Sequence, residues 1–136
     1  MMGKTFTKEE RLCSKRLIDD LFHNSFSFVL YPYRIVFQPK PSEDHVSPAQ
    51  SILSVSKRRF KRAVDRNAVK RRMREAFRLQ KEELYLFLQE HSLNLLVAFQ
   101  YVGKEQLPYV YMYERMGLTI TKLKDEITNS YLGKPD

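Results

Sequence analysis

The spacing of apolar residues predicts that the chain begins with a helix followed by a strand. Near the start, apolar side chains recur at helical intervals, at Leu12, Leu17, Ile18, Leu21 and Phe22. Ser14 is available as an N-cap, and Cys13 is predicted to be a buried thiol of this helix. Residues 26–37 then alternate as a strand does, with a bend or an interruption expected at Pro32.

The predicted strand over residues 26–37 has two faces. Alternation places one set of side chains together, namely Val29, Tyr31, Tyr33, Ile35 and Phe37. A polar connection over residues 39–50 follows, and we expect it to join this strand to an antiparallel partner. That second strand is predicted over residues 51–56.

The later part of the chain shows three further elements. A helix is predicted from about Ala63, and residues 79–91 are expected to continue as a second helical stretch. Residues 93–102 form a nearly continuous apolar run, which is typical of a buried strand. A final helix is predicted from Tyr109 to about Tyr131.

The resulting order of helix, strands, helix, strand, helix predicts an α/β (α+β) two-layer sandwich with a small central sheet. The helix that follows the second strand would be a crossover helix. The chain has 136 residues, 43% of them hydrophobic, which suits one packed domain. We therefore expect a single domain over residues 1–136, with loose ends at 1–5 and 132–136.

Composition narrows the class of protein. The single cysteine excludes a disulfide framework and a cysteine-based zinc site. The sequence has no apolar run of the roughly 18 residues that a membrane span needs, and its start is polar and charged, unlike a signal peptide. We therefore expect a cytoplasmic protein without a membrane partner.

The net charge of +8 is concentrated in one segment. Residues 57–78 hold eleven Lys and Arg residues against only Asp65 and Glu75, so this segment carries +9 and the rest of the chain −1. Such a concentration of charge favours a polyanionic partner, with nucleic acid ahead of a membrane surface.

The helix that begins near Ala63 is predicted to have an apolar side and a cationic side. The apolar stripe is formed by Val69, Met73, Ala76 and Phe77. The adjacent row of cations, flanked by Asn67 and Arg71, consists of Arg66, Lys70, Arg74 and Arg78. Like charges at this spacing destabilise an isolated helix, but they strengthen its binding to a phosphate backbone.

Two other interpretations of the basic helix are open. A run of charge is commonly a solvated face that serves only solubility. A basic amphipathic helix can also bind a membrane or a calmodulin-like groove, but those modes need a broad exposed apolar face. The stripe here is narrow, and the neighbouring strands indicate that it is already covered.

The segment around this helix resembles the signature of the bacterial ribonuclease P protein component. Residues 54–57 read Ser-Val-Ser-Lys at the end of a strand, and residues 66–75 contain Arg-Asn, then Lys-Arg, then Arg-Glu. Residues 6–22 and 93–99 resemble the N-terminal segment and the last strand of that family. The family motif reads Arg-Asn-Arg, and here Ala68 stands at its third position.

The resemblance implies a non-catalytic subunit of an endoribonuclease. In that family a large RNA removes the 5′ leader from precursor tRNA, so the RNA performs the hydrolysis and mainly holds the Mg²⁺. The implied partners are this catalytic RNA and precursor tRNA, without an obligate protein partner. The implied RNA-binding residues are Lys57, Arg58, Arg62, Arg66, Asn67, Lys70, Arg71 and Arg74.

A second implied surface is a cleft between the first helix and the sheet, which in the family holds the single-stranded leader. The candidates for this leader cleft are Ile18, Phe22, Tyr31, Tyr33 and Phe37, together with Lys57. Aromatic faces can stack on bases of any sequence, worth about 1–3 kcal/mol per base. Each of these aromatic residues could equally belong to the core.

Two other functions remain open for a domain of this pattern. One is a ribosomal or assembly protein that binds RNA outside any enzyme. The other is a DNA-binding regulator, which is disfavoured because Asn67 is the one evident base reader and no helix-turn-helix spacing precedes it. A protein nuclease is disfavoured too, since His23, His45 and His91 are scattered without metal-ligand spacing.

Overall fold

The computed structural model describes residues 5–23, 25–41 and 47–132, and these form three α-helices and four β-strands. Their bounds are α1 (Lys15–His23), β1 (Phe26–Leu30), β2 (Tyr33–Pro41), β3 (Ala49–Val55), α2 (Ala63–Glu90), β4 (Leu93–Tyr101) and α3 (Tyr109–Ile127). A 3₁₀ turn (Lys8–Glu10) precedes α1, and a π-helical turn (Thr128–Leu132) follows α3. The predicted α+β class is confirmed.

The interruption predicted at Pro32 is confirmed, but residues 26–37 do not continue as one strand, because β1 and β2 form an antiparallel hairpin with its turn at Tyr31 and Pro32. In this hairpin Phe28 pairs with Ile35, so both side chains lie on one face. Val29 pairs with Arg34 and lies on the other face. The predicted common face therefore ends at the turn, and Val29 and Tyr31 are not part of it.

The sheet has the strand order β1-β2-β4-β3, with β4 antiparallel to β2 and parallel to β3. Strand β4 thus lies between the two strands that the connection over residues 39–50 was expected to join as direct partners. Pro39 and Pro41 belong to β2, beyond Phe37, where the pairing with β1 ends. Proline has no backbone N–H to donate, but at these positions there is no β1 strand to pair with, so no hydrogen bond to β1 is lost.

The main core lies between one face of the sheet and the helices α2 and α3. We call this side of the sheet the core face, and its fully buried members include Tyr33, Ile35, Phe37, Val97 and Phe99. The apolar stripe of α2 packs against it through Val69, Met73, Ala76 and Phe77. Burying this stripe stabilises α2 in spite of its repelling cations.

Helix α1 lies on the opposite side of the sheet, which we call the α1 face. Leu21 of α1 is buried in a smaller cluster with Val36, Leu96 and Ala98, and Ile18 packs against that cluster. The sheet with α2 and α3 forms the expected two layers, and α1 adds partial cover behind them. Ser14 caps α1 by accepting a hydrogen bond from the Leu17 amide at 3.3 Å, as predicted.

Two local predictions need correction. The helical stretch over residues 79–91 is not a separate element, because α2 is one continuous helix of 28 residues. Cys13 precedes α1 and is exposed, so the prediction of a buried thiol is wrong. The physical reason is that residues 11 and 12 pair with β3 at Ser51, which holds this segment at the sheet edge before the helix begins.

The N-terminal segment is tied to α2 by a buried ion pair. Lys81 donates to the Glu10 carboxylate and to the Thr5 carbonyl, and both charged side chains are almost fully buried. Tyr85 donates to the same carboxylate at 2.7 Å. Thr5 is therefore anchored rather than loose, and Leu132, also expected to be loose, packs against the main core. The other expected loose residues, 1–4 and 133–136, lie outside the described part of the chain.

Candidate nucleic-acid interface

The basic turn, residues 56–62, connects β3 to α2 and is held in place by contacts of Phe60 and Arg66. The half-buried Phe60 packs against the main core, with its ring centroid 6.1 Å from that of Tyr101. Arg66 in the first turns of α2 donates through Nη1 to the carbonyls of Phe60 and Lys61, at 2.9 and 2.8 Å. These contacts fix the path of the turn while its other side chains point outward.

Eight cations of the basic turn and α2 have no ion pair or side-chain hydrogen bond within residues 5–23, 25–41 and 47–132. They are Lys57, Arg58, Arg59, Lys61, Arg62, Lys70, Arg71 and Arg74. All are exposed except Lys70, which is half-buried. Asn67 is exposed beside them. This surface, which we call the cationic strip, can bind several phosphates at once without first breaking internal bonds.

Three other cations of the same segment are engaged inside the protein. Arg72 donates to the Leu107 carbonyl at 3.0 Å and so links α2 to the loop before α3. Arg78 makes two hydrogen bonds with the Glu75 carboxylate, at 3.1 and 2.6 Å. The bond from Arg78 holds the pKa of the Glu75 carboxyl below its ordinary value. Arg66 has the turn-holding role described above, which its place in the predicted row did not reveal.

An open groove lies beside the basic turn, at the ends of the parallel strands β3 and β4. It encloses about 860 Å³, and its lining includes Ser54, Lys57, Arg58, Gln100 and Val102. Lys57 and Arg58 thus connect the groove to the cationic strip. Two of the residues that line this groove, Ser54 and Gln100, lie on the α1 face, next to the positions Ile52 and Ala98 against which α1 packs.

The predicted leader-cleft residues do not come together. Ile18 is half-buried on the side of α1 that faces the sheet, and Phe22 is 42% exposed at the end of that helix. Tyr31 is exposed at the hairpin turn, where its carbonyl accepts a hydrogen bond from Arg115 at 2.7 Å. These three residues remain accessible, but Tyr31 lies at the edge between the sheet and α3.

Tyr33 and Phe37 are corrected from cleft to core. Both are fully buried on the core face, under α2 and α3, where no RNA base can reach them. The hydroxyl of Tyr33 donates to the Met112 carbonyl at 2.8 Å, and burial raises the pKa of this phenol well above its usual range. The side chains of β2 that do face the groove side are the intervening ones, beginning with Arg34.

Three polar residues of the open sheet surface were not identified as site residues from the sequence. Arg34, Gln100 and Ser54 are register partners across β2, β4 and β3, and all three are half-buried. We call them the polar row. Arg34 and Gln100 each stand in an otherwise apolar part of their strand, residues 33–37 and 95–101, and that interruption was the available signal.

The described residues offer no metal site built from three or more His, Cys, Asp or Glu side chains. His23 ends α1 and His91 follows α2, while His45 lies outside the described part of the chain. In the ranges that the structure covers, no helix has both the length and the apolar character that crossing a membrane requires.

Comparison with known proteins gives a consistent result in sequence. A family model described as Ribonuclease P matches residues 6–107. The ribonuclease P protein component of Porphyromonas gingivalis is 36% identical, and the match covers 93% of this chain and 91% of that protein. The ribonuclease P protein component of Chlorobium phaeobacteroides is 32% identical, with coverage of 92% and 89%.

Solved structures support the same fold. The Staphylococcus aureus RNase P protein superimposes with a TM-score of 0.61 at 16% identity, over 85% of this chain and 95% of that one. A mutant of the S. aureus protein with defective mRNA degradation activity gives a TM-score of 0.63, also at 16% identity, over 86% and 90%. At this level of identity the structural likeness concerns the fold alone.

Proposed function

The chain belongs to the ribonuclease P protein family, and we propose that it binds the catalytic RNA of that ribonucleoprotein through the cationic strip. Family membership makes it the protein component of a ribonuclease P, which has an RNA partner. The finer assignment, that the strip faces the catalytic RNA and assists removal of the 5′ leader from precursor tRNA, is our proposal.

The observation that carries this proposal is the set of eight cations without internal partners. A protein that used these charges for its own stability would pair them with carboxylates, as it does with Lys81 and Glu10. Each phosphate that such a side chain neutralises releases a condensed counterion, and arginine forks match phosphate oxygens. A strip of this length therefore suits an extended RNA backbone better than a single anionic ligand.

The leader of precursor tRNA is proposed to lie in the open groove at the ends of β3 and β4. The groove continues directly from the cationic strip through Lys57 and Arg58, so one RNA-bound surface leads into it. Its lining combines apolar side chains with the polar groups of Ser54 and Gln100, which suits a single strand whose bases are unpaired. Ile18 and Phe22 lie on the same side of the sheet, whereas Tyr33 and Phe37 take no part.

The chemistry is assigned to the RNA. We propose, on the family resemblance, that the RNA subunit performs phosphodiester hydrolysis and holds the Mg²⁺. The protein contributes positive charge that lowers repulsion between two RNAs. No catalytic step is assigned to a side chain of this chain. A cytoplasmic location, without an obligate protein partner, belongs to the same proposal.

Reconstitution tests the proposal. The full chain is combined with the ribonuclease P RNA of its own organism and a precursor tRNA, and cleavage at the mature 5′ end is followed at low Mg²⁺. We expect the protein alone to be inactive and to raise the activity of the RNA. The variant Lys70→Ala with Arg74→Ala should raise it less. Cleavage by RNA-free protein, or failure to bind this RNA while binding ribosomal RNA or duplex DNA, contradicts the proposal.

A further inference from the structure

The polar row lies on the part of the α1 face that α1 does not cover, and its three side chains are aligned across neighbouring strands. Arg34, Gln100 and Ser54 are direct partners in neighbouring strands, and the row before them, Val36, Ala98 and Ile52, is the one that α1 packs against. The polar row is therefore the first line of side chains beyond α1. Ser54 and Gln100 line the groove, and Arg34 lies next to it, bonded to Gln100.

The orientation of the Gln100 amide is fixed by chemistry. Arg34 Nη1 lies 2.8 Å from the Gln100 side chain. A guanidinium has only donors, so the amide atom facing it must be the acceptor oxygen. The amide nitrogen of Gln100 then points away from Arg34, and it has no other hydrogen-bond partner in the part of the chain that the structure describes.

The row therefore presents donors. Gln100 offers its amide NH₂ group, because its amide oxygen already accepts from Arg34, and Arg34 retains the further N–H groups of its guanidinium. Ser54 can donate or accept. A nucleobase edge that meets this surface needs acceptors, and an edge that places an amino group there leaves two donors facing each other, unpaired and partly desolvated.

Among the purines this distinguishes guanine from adenine. The exposed edge of guanine carries two adjacent acceptors, N7 and O6, whereas adenine carries the acceptor N7 beside the donor N6 amino group. In a single strand these edges are free to meet protein side chains. We infer that Arg34 and Gln100 form a base-reading pair that selects guanine over adenine in the single-stranded RNA bound in the groove.

This inference rests on the proposed leader groove but is testable without the ribonucleoprotein. The full chain is titrated with uridine octamers that carry one central purine, either guanine, inosine, 7-deazaguanine or adenine. Guanine and inosine, which share N7 and O6, should bind about fivefold more tightly than adenine, the lower end of what a bidentate contact provides. 7-Deazaguanine lacks N7 and should bind like adenine.

The Gln100→Glu variant reverses the chemistry of the row. Its carboxylate still accepts from Arg34, but it presents an acceptor where the amide presented a donor. We expect the guanine preference to disappear or to reverse in favour of adenine. The Arg34→Lys variant keeps the charge and removes the fork, so it should lose the preference while the salt dependence of binding stays the same. Lys70→Ala is the control that lowers affinity for all four octamers equally.

Two results would overturn the inference. One is equal affinity of the wild-type chain for the guanine and adenine octamers, and the other is an unchanged preference in folded Gln100→Glu and Arg34→Lys proteins. A reconstituted holoenzyme separates this failure from that of the proposed function. If cleavage is stimulated but no leader position prefers guanine, the base-reading pair is wrong and the subunit role stands.

Discussion

The two halves of α2 place lysine side chains in different environments, one half-buried and without a partner in the described part of the chain, the other buried and paired. Lys70 and Lys81 are eleven residues apart, about three helical turns, so they lie on nearly the same side of the helix. Lys70 has no partner among the described residues, whereas Lys81 is buried and paired with Glu10. The difference arises from the residues that cover each position, because the N-terminal segment crosses α2 at Lys81 and leaves Lys70 open.

This contrast separates charge that serves the fold from charge that serves binding. Near Lys81 the charges are compensated, and Glu83 also pairs with Lys124 of α3 at 2.7 Å. Towards the start of α2 the cations face solvent side by side, at a cost to helix stability of a few tenths of a kcal/mol per neighbouring pair. Mutations in the two halves should therefore affect different measurements.

The largest effect is expected from Lys81→Met. This variant leaves the Glu10 carboxylate buried without its cation, and breaking a buried pair in this way costs about 3–5 kcal/mol. Urea unfolding should show that loss, with little change in the salt dependence of RNA binding for the fraction that remains folded. Lys70→Ala is the matched control, and its free energy of unfolding should change by less than about 0.5 kcal/mol. Equal losses of unfolding free energy in the two variants would contradict the distinction between a stabilising Lys81 and a binding Lys70.

The pH dependence of stability tests the Lys81–Glu10 pair through the titration of the Glu10 carboxyl. Burial raises the pKa of this carboxyl, but the bonds from Lys81, Thr7 and Tyr85 outweigh it, so the pKa lies below the ordinary value of 4.5. A lowered pKa stabilises the folded state fully above about pH 4.5, and that stability is lost as the pH falls through the folded-state value. The difference in unfolding free energy between wild type and Glu10→Gln should therefore be constant above pH 5.5 and shrink in acid, and a difference that grows in acid would contradict the pairing.

In the first half of α2, the double variant Lys70→Ala and Arg74→Ala should change binding, while relief of the repulsion between these cations should alter stability by only a few tenths of a kcal/mol. Two lost phosphate contacts lower the slope of log affinity against log salt by about 1–2. Titration of the ribonuclease P RNA at several salt concentrations measures this slope. The control is Lys15→Ala with Arg16→Ala, which removes the same charge from exposed positions on α1, on the other side of the sheet. An equal drop in the control would mean that total charge, rather than the strip, determines binding.

Local patterns predicted most of the elements but not how the strands pair. The starts of α2 at Ala63 and of β4 at Leu93 were predicted because apolar spacing changes sharply there. The interruption at Pro32 was predicted, but the hairpin was missed because the alternation from Phe26 to Phe37 does not show that the chain reverses its direction there. The insertion of β4 between β2 and β3 depends on contacts between distant segments, which no local pattern contains.

The site was predictable in its charge and not in its geometry. Eleven basic residues in one segment indicated a polyanion-binding surface, but the spacing could not show that Arg66 bonds to the turn or that Arg78 pairs with Glu75. Tyr33 and Phe37 were misplaced because an aromatic residue suits a core and a base-stacking groove equally well. The RNA-binding roles of the cationic strip stay predictions.

The smallest effect is expected at Arg66, which combines the properties of both halves. Its Nη1 holds two carbonyls of the basic turn, so Arg66→Ala should lower the free energy of unfolding by about 1 kcal/mol, as the loss of such hydrogen bonds does. Arg66 is a single, half-buried cation, so the salt slope should fall by no more than about one. Arg66→Lys separates the two roles: it keeps the charge and thus the slope, but its side chain is one bond shorter than the path to Nη1, so its ammonium should not reach both carbonyls and the stability loss should persist. If Arg66→Ala changes only the salt slope, the turn does not depend on Arg66, and this residue belongs with Lys70 rather than between Lys70 and Lys81.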